Sequence, residues 1–262
     1  MPELEWIYGR QVVRLALAPG ARRRPLRCVG TFRALADLRL PPRLQQEVLE
    51  TGEIAQLTGS REHQGVALAV PPYPYADPKE VLGGDLIVVL DEVSDPRNLG
   101  AVARSALATG ASGLVVPRHR SASVTPAAVK ASAGATEHLP VAQVTNIVAF
   151  LRDAEKAGFW VYGAVAGAPR SYLTLDFTVK VVLVLGSEDR GLRRLVADTC
   201  DELAALPVQG PGQSLNVSVA AAVLLYEARR QRDAKALTLP ATAETKPAAG
   251  RNRRGGEAGE RQ

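Results

Sequence analysis

The chain has 262 residues, 46% of them apolar and only 5% aromatic, with a formal net charge of +5. That length allows one large domain, or a small domain followed by a medium one, and a core built mainly from Val, Leu and Ala. The positive balance favours an anionic partner, although many basic proteins bind no nucleic acid. Cys28 and Cys200 have no metal-ligand spacing, so no metal is expected, and they read as reduced thiols of a cytoplasmic protein. Glu3 and Glu5 interrupt the N-terminus where a signal peptide would turn apolar. No stretch approaches the ~18 uninterrupted apolar residues of a membrane span.

In chain order, residues 1–72 read as a small unit of short helices and strands. A helix is expected over 10–17, a second over 42–50 with Pro42 near its first turn, and a strand over 66–70. Arg22, Arg23, Arg24 and Arg27 form a dense basic loop. Residues 1–75 carry ten Lys/Arg against seven Asp/Glu. Residues 73–84 read as a linker, entered through the extended run Pro71-Pro72-Tyr73-Pro74-Tyr75.

Residues 85–233 alternate strands and helices. Leu86 to Leu90 is a continuous apolar run, as in a strand buried on both faces. A helix over 99–109 ends at Gly110, followed by a strand over 113–116, a helix over 146–157 and a strand over 159–166. A further buried strand over 181–185 and a long helix over 215–230 complete the pattern. Such alternation is the α/β signature of a parallel sheet covered on both faces. Sixteen Lys/Arg oppose seventeen Asp/Glu over 76–233, so this unit is nearly neutral. Residues 234–262 form a basic tail with too little apolar surface to order itself.

Three segments in this region carry candidate chemistry. In the first, the strand ending at Leu90 is followed by an Asp95-Pro96 turn, and Asn98 falls where an N-cap belongs. Arg104 lies off the apolar stripe of the helix, near the C-terminal strand edge where open α/β sheets bind ligands. The same spacing also fits a plain cap and a surface charge. The second segment runs from a strand into Gly186-Ser187-Glu188-Asp189-Arg190-Gly191. Its glycines allow close backbone approach, but it is neither a dinucleotide fingerprint nor a phosphate-binding P-loop. Glu188 suits a ribose or a cationic group better than a phosphate. The third, Leu206-Pro207-Val208-Gln209-Gly210-Pro211-Gly212-Gln213-Ser214-Leu215-Asn216, leads into a helix whose N-terminal donors attract ligand oxygens. Simple capping by Ser214 fits it equally.

Taken together and in this order, Asp95-Pro96-x-Asn98-Leu99-Gly100-x-x-x-Arg104, the Gly186-x-Glu188-x-x-Gly191 turn and Pro207-x-x-Gly210-x-x-x-Ser214-Leu215-Asn216 resemble the SpoU/TrmH (SPOUT) family of RNA 2′-O-methyltransferases. Glu62-His63-Gln64-Gly65-Val66, with Ile7-Tyr8-Gly9 upstream, resembles the small L30e-like substrate-binding domain of RlmB-type members. Those enzymes methylate a guanosine ribose of 23S ribosomal RNA.

The resemblance implies a catalytic domain with a C-terminal trefoil knot, where sequence pattern alone gives an ordinary doubly wound sheet. It implies S-adenosyl-L-methionine as cofactor, contacted by Gly186, Glu188, Gly191, Leu206, Val208, Ser214, Leu215 and Asn216. Arg104, Asn98, Glu188 and Asn216 become the catalytic set, with Arg104 either activating the ribose hydroxyl or gripping the neighbouring phosphate. RNA contact is expected from Arg22, Arg23, Arg24, Arg27, His63, Gln64 and Arg104. A homodimer is implied, with Val219, Val223 and Tyr226 of the last helix as interface candidates that fit a core equally. Transfer RNA, a resistance-conferring ribosomal site and a non-catalytic RNA-binding protein are the alternatives. A nucleotide-dependent oxidoreductase is disfavoured by the missing fingerprint.

Overall fold

The structure, a computed structural model, describes residues 4–209 and 214–238. Gly210 to Gln213 of the third motif, and the tail from residue 239 onward, lie outside the described residues.

The N-terminal unit holds β1 (Glu5–Tyr8), α1 (Arg10–Ala16), β2 (Arg27–Gly30), α2 (Phe32–Ala36), β3 (Gln45–Val48), α3 (Thr51–Thr58) and β4 (Val66–Val70). Its sheet runs β1-β4-β2-β3. β4 is antiparallel to β1 and β2, and β3 is parallel to β2. The helix expected over 42–50 is not formed. Gln45–Val48 is instead an edge strand on β2, and the helix starts at Thr51. The start of α3 is set locally, because Glu50 and Glu53 make a reciprocal capping box there, while the residues before it pair with β2.

The second unit holds α4 (Pro78–Val81), β5 (Leu86–Asp91), α5 (Pro96–Thr109), β6 (Gly113–Pro117), α6 (Pro126–Ala131), β7 (Val141–Val144), α7 (Ile147–Lys156), β8 (Trp160–Ala164), β9 (Arg170–Ser171), β10 (Val181–Gly186), α8 (Arg194–Ala197), β11 (Glu202–Ala205) and α9 (Val217–Thr238). Seven strands form one sheet, β7-β6-β5-β10-β8-β11-β9, with every neighbouring pair parallel. Alternate residues of each central strand face opposite ways. Leu86, Val88 and Leu90 pack with α5, α6 and α9, while Ile87 and Val89 pack with α4, α7 and α8. α7 shows the logic in about two turns: Ile147, Phe150, Leu151 and Ala154 are its buried side chains. The final helix runs past the expected Arg230 to Thr238, so the expected tail begins later than residue 234.

The two units share one core. Ile7, Val12, Val13, Cys28, Leu68 and Val70 belong to the same buried cluster as Leu99, Val102 and Leu225. The run expected to be a free linker is built into it. The Tyr73 hydroxyl donates to the carbonyls of Thr136 and Leu139, at 3.0 and 3.2 Å, and the Tyr75 hydroxyl accepts from the amide of Val124.

Arg23 lies in this junction, and the expectation that it contacts RNA is corrected. It is 2% exposed, its guanidinium paired with Glu137 at 2.5 and 3.1 Å and with Glu5 at 2.7 Å. Glu137 is itself fully buried. His63 is also only 2% exposed and accepts the Gly65 amide through Nδ1, bracing a turn. Arg22 and Arg27 are engaged with Glu80 and Glu47. Arg24 and Gln64 remain exposed, although the Gln64 side chain accepts the first amide of α1. Among the described residues no helix is long and apolar enough to cross a membrane, and no His/Cys/Asp/Glu group is placed to hold a metal ion.

Two measurements probe this junction and core. Arg23→Ala strands the Glu137 carboxylate and should cost about 3–5 kcal/mol in urea unfolding. Burial pushes the Cys28 thiol up to about 11, and burial with nearby Asp201 pushes Cys200 up to about 12. Thiolate is therefore scarce at pH 8, and a thiol-specific disulfide reagent should label neither cysteine until the chain is unfolded.

Candidate functional site

The strand order places the site. From β5 the chain steps outward to β6 and β7, and later strands fill the other side through β10. β5 and β10 are therefore the neighbours at which the winding reverses, and their C-terminal ends meet with Gly186 opposite Asp91. A crevice outside such a switch point is the usual ligand position in an open parallel sheet.

The first motif leaves β5 here. Asp95, not Asn98, caps α5, accepting the Arg97 amide at 2.8 Å with Pro96 in the first turn. This corrects the sequence expectation and frees the Asn98 side chain. Its Nδ2 donates to Glu188 Oε1 at 2.7 Å. Asn216 Nδ2 donates to the same oxygen at 2.5 Å and to Asn98 Oδ1 at 3.1 Å. Asn216 Oδ1 accepts from the amide and hydroxyl of Ser218, so Asn216 rather than Ser214 caps α9. Three motifs far apart in sequence thus close on one carboxylate oxygen. Glu188 Oε2 has no hydrogen-bond partner among the described residues.

The second motif is a hairpin-tight turn. The Gly191 amide donates to the Ser187 carbonyl at 2.9 Å, and Gly191 takes φ +65°. The returning backbone crosses so close to Gly186 that an added Cβ would lie 2.1 Å from the Gly191 carbonyl carbon. Asp91 pins the next step of the chain. Its fully buried carboxylate accepts the Arg193 backbone amide at 2.9 Å and binds the Arg193 side chain at 2.6–2.7 Å. That carboxylate raises the Arg193 guanidinium above its ordinary value. Sequence reading passed over Asp91, although a charge closing an otherwise apolar strand is a signal. Gly100 is needed for packing: a Cβ there would sit 2.4 Å from the Ala128 carbonyl of α6.

A cavity of about 440 Å³ opens beside this turn. Gly186, Glu188, Gly191, Leu206, Val208, Ser214 and Leu215 all line it, and Asn216 adjoins it through Glu188. The expected cofactor residues are thus brought together. Sequence reading missed Ala164, Val165 and Ala166, which continue the end of β8 into the same wall. The apolar wall and close-approaching backbone suit a flat, largely apolar ligand, and Glu188 suits a positive charge on it. Arg104 does not line the cavity, and it is exposed on α5 with no ion pair among the described residues. Val219, Val223 and Tyr226 of α9 are 48%, 38% and 57% exposed, which removes the core reading for them.

Comparison with known proteins gives a consistent result. Residues 85–226 match the SpoU rRNA methylase family. An uncharacterised tRNA/rRNA methyltransferase of Mycobacterium ulcerans is 47% identical over 186 residues, covering 69% of this chain. The chain spans about 60% of that relative's length. Among solved structures, the SpoU methyltransferase AviRb of Streptomyces viridochromogenes, in complex with AdoMet, superposes with a TM-score of 0.75 at 26% identity. That match covers 87% of this chain and 90% of the other. An RNA 2′-O ribose methyltransferase superposes with a TM-score of 0.70 at 25% identity, covering 87% and 88%.

The crossing at Gly186 offers a direct test. Gly186→Ala has no flexible side chain to push aside, only backbone, and should cost about 3 kcal/mol or more, above the usual overpacking range. Chemical denaturation beside Gly52→Ala, where nothing lies within 4 Å and the backbone is helical, separates the steric cost from general glycine replacement.

Proposed function

Because the chain belongs to the SpoU rRNA methylase family, we propose that it transfers a methyl group from S-adenosyl-L-methionine to a ribose 2′-hydroxyl of RNA. A guanosine of 23S ribosomal RNA, as in RlmB-type enzymes, is the favoured target. The observation that carries the reading is the convergence of all three motifs on Glu188 beside the cavity. The AdoMet complex of AviRb and the 2′-O ribose methyltransferase neighbour support the cofactor and the reaction class.

S-adenosylmethionine, when bound, supplies a methyl on a positively charged sulfur that leaves as a neutral thioether, so no metal is needed to activate the leaving group. Gly186 and Gly191 admit the cofactor against bare backbone, and Leu206, Val208 and Leu215 cover its apolar parts. Asn98 and Asn216 hold one Glu188 oxygen, and the other is left to face a cationic donor. Arg104 is permanently charged, which makes it a poor base. It grips the phosphate beside the target ribose with its guanidinium fork and stabilises the alkoxide that develops on the 2′-oxygen as the hydroxyl proton passes to solvent water. Positioning then carries much of the rate.

The same reading assigns residues 1–72 to an L30e-like RNA-binding domain, 73–84 to its connection and 85–233 to the methyltransferase domain. The trefoil knot is proposed for the chain after β10, supported by the crossing at Gly186 and by Leu206 and Ser214 lining the Gly186 cavity. A homodimer in the cytoplasm completes it, supported by the exposed apolar run Val219, Val223 and Tyr226.

Isothermal titration should show uptake of S-adenosylmethionine and none of NAD. Mapping of 2′-O-methyl groups on ribosomal RNA, with and without the protein, should reveal one lost guanosine signal, and an unchanged map in every RNA would remove the assignment. Arg104→Ala should lower turnover by about 10²–10³ while leaving cofactor affinity intact. Arg104→Lys should recover little of it, since the charge stays and the fork is lost.

A further inference from the structure

A basic turn outside all three motifs sits at the same edge of the sheet. β6 runs parallel beside β5, and its C-terminal end leads into Arg118, His119 and Arg120, all exposed. The turn is held rigidly from both sides. The Arg118 amide donates to the Val144 carbonyl at 2.8 Å, at the end of β7. The Ala122 amide and the Ser121 hydroxyl both donate to the Val93 carbonyl, at 2.8 and 3.2 Å. Val93 belongs to the short loop that carries β5 into α5, and so into Asn98 and Arg104. The basic turn is therefore stapled to the loop that positions the site.

Arg120 adopts φ +57°, a left-handed conformation that costs a non-glycine residue about 1 kcal/mol or more. Packing does not require arginine there, because the side chain points to solvent. Asp91 and Glu92 are paired with Arg193, and the single remaining carboxylate of this loop, Asp95, caps α5. Arg118 and Arg120 have no ion pair among the described residues, and neither does Arg97 in the first turn of α5. Charge left uncompensated on a strained, pinned turn beside a reaction site fits a polyanion better than it fits structure.

We infer that Arg118 and Arg120 form a phosphate-binding tip that holds the RNA backbone flanking the target ribose, at the end of the strand beside β5. The inference rests on the proposed RNA substrate. The tip neutralises phosphates without reading bases, so its contribution is electrostatic and sensitive to salt.

The test is filter binding of bulk bacterial ribosomal RNA to the full chain, from about 50 to 300 mM KCl, the range in which phosphate contacts show. Arg118→Ala/Arg120→Ala should weaken binding about tenfold or more and flatten the log–log salt slope by roughly 1.4–1.8, two phosphates' worth. Arg118→Lys/Arg120→Lys should restore the slope, since a point charge suffices. Uptake of S-adenosylmethionine and the thermal melting temperature should match the parent in both variants. An unchanged slope in the alanine variant, with the parent binding RNA, overturns the tip and leaves the proposed function standing. A parent chain that takes up the donor but binds no RNA overturns both.

Discussion

The site depends on one close approach of backbone to backbone. β10 ends at Gly186, and the chain turns back through Gly191 with no room between them for a single carbon atom. Glycine at 186 is a steric requirement of the crossing rather than a matter of flexibility. Once the turn is closed, Asp91 on the adjacent strand catches the backbone amide and side chain of Arg193 and fixes where the chain goes next. A fully buried carboxylate is costly to desolvate, and here the cost is offset by charge-assisted bonds to a guanidinium and an amide. The turn, the strand end and the outgoing chain become one rigid piece, and Glu188 is delivered from that piece to the two asparagines.

The asparagine pair follows from how its helices begin. Had Asn98 capped α5, its side chain would have been spent on a backbone amide. Asp95 takes that task, and Pro96 supports it by fixing the first turn. Asn98 then projects from inside the helix with both amide groups available. Asn216 solves the same problem by dividing its labour: its oxygen caps α9, and its nitrogen serves Glu188. One residue thus ties the direction of a long helix to the geometry of the site, so that loosening either disturbs the other.

Much of the second unit was legible from periodicity. β5 and β10 are continuous apolar runs because both their faces are covered, and α7 shows its buried stripe at helical spacing. The cavity-lining residues were legible through the motifs, since Gly186, Glu188 and Leu215 do converge. What stayed hidden was of two kinds. Capping is decided by competition between neighbours, and Asp95 against Asn98 cannot be settled by spacing. Short elements such as β3 are set by the partner strand available, so Gln45 to Val48 pairs with β2 despite its polar, helix-compatible composition. The Pro-rich run misled for a related reason. Proline makes a segment extended, but extension does not make it free, and Tyr73 and Tyr75 anchor this one in the core.

The arginines carry the same lesson furthest, because their identity says nothing about whether water or protein neutralises them. Arg22, Arg23 and Arg27 lie close together in sequence and read as a basic patch, yet each faces a carboxylate supplied by a distant segment. Arg23 is the extreme case, its charge consumed in joining the N-terminal unit to Glu137 of the second. Arg118 and Arg120 have no such density and drew no notice in the sequence, but the fold leaves them without an ion pair among the described residues. A surface's capacity to attract a polyanion is therefore set by the charge that folding leaves over, not by the charge that composition counts. In this molecule that remainder includes Arg104 on α5, together with Arg97, Arg118 and Arg120 where the first strands of the parallel sheet end.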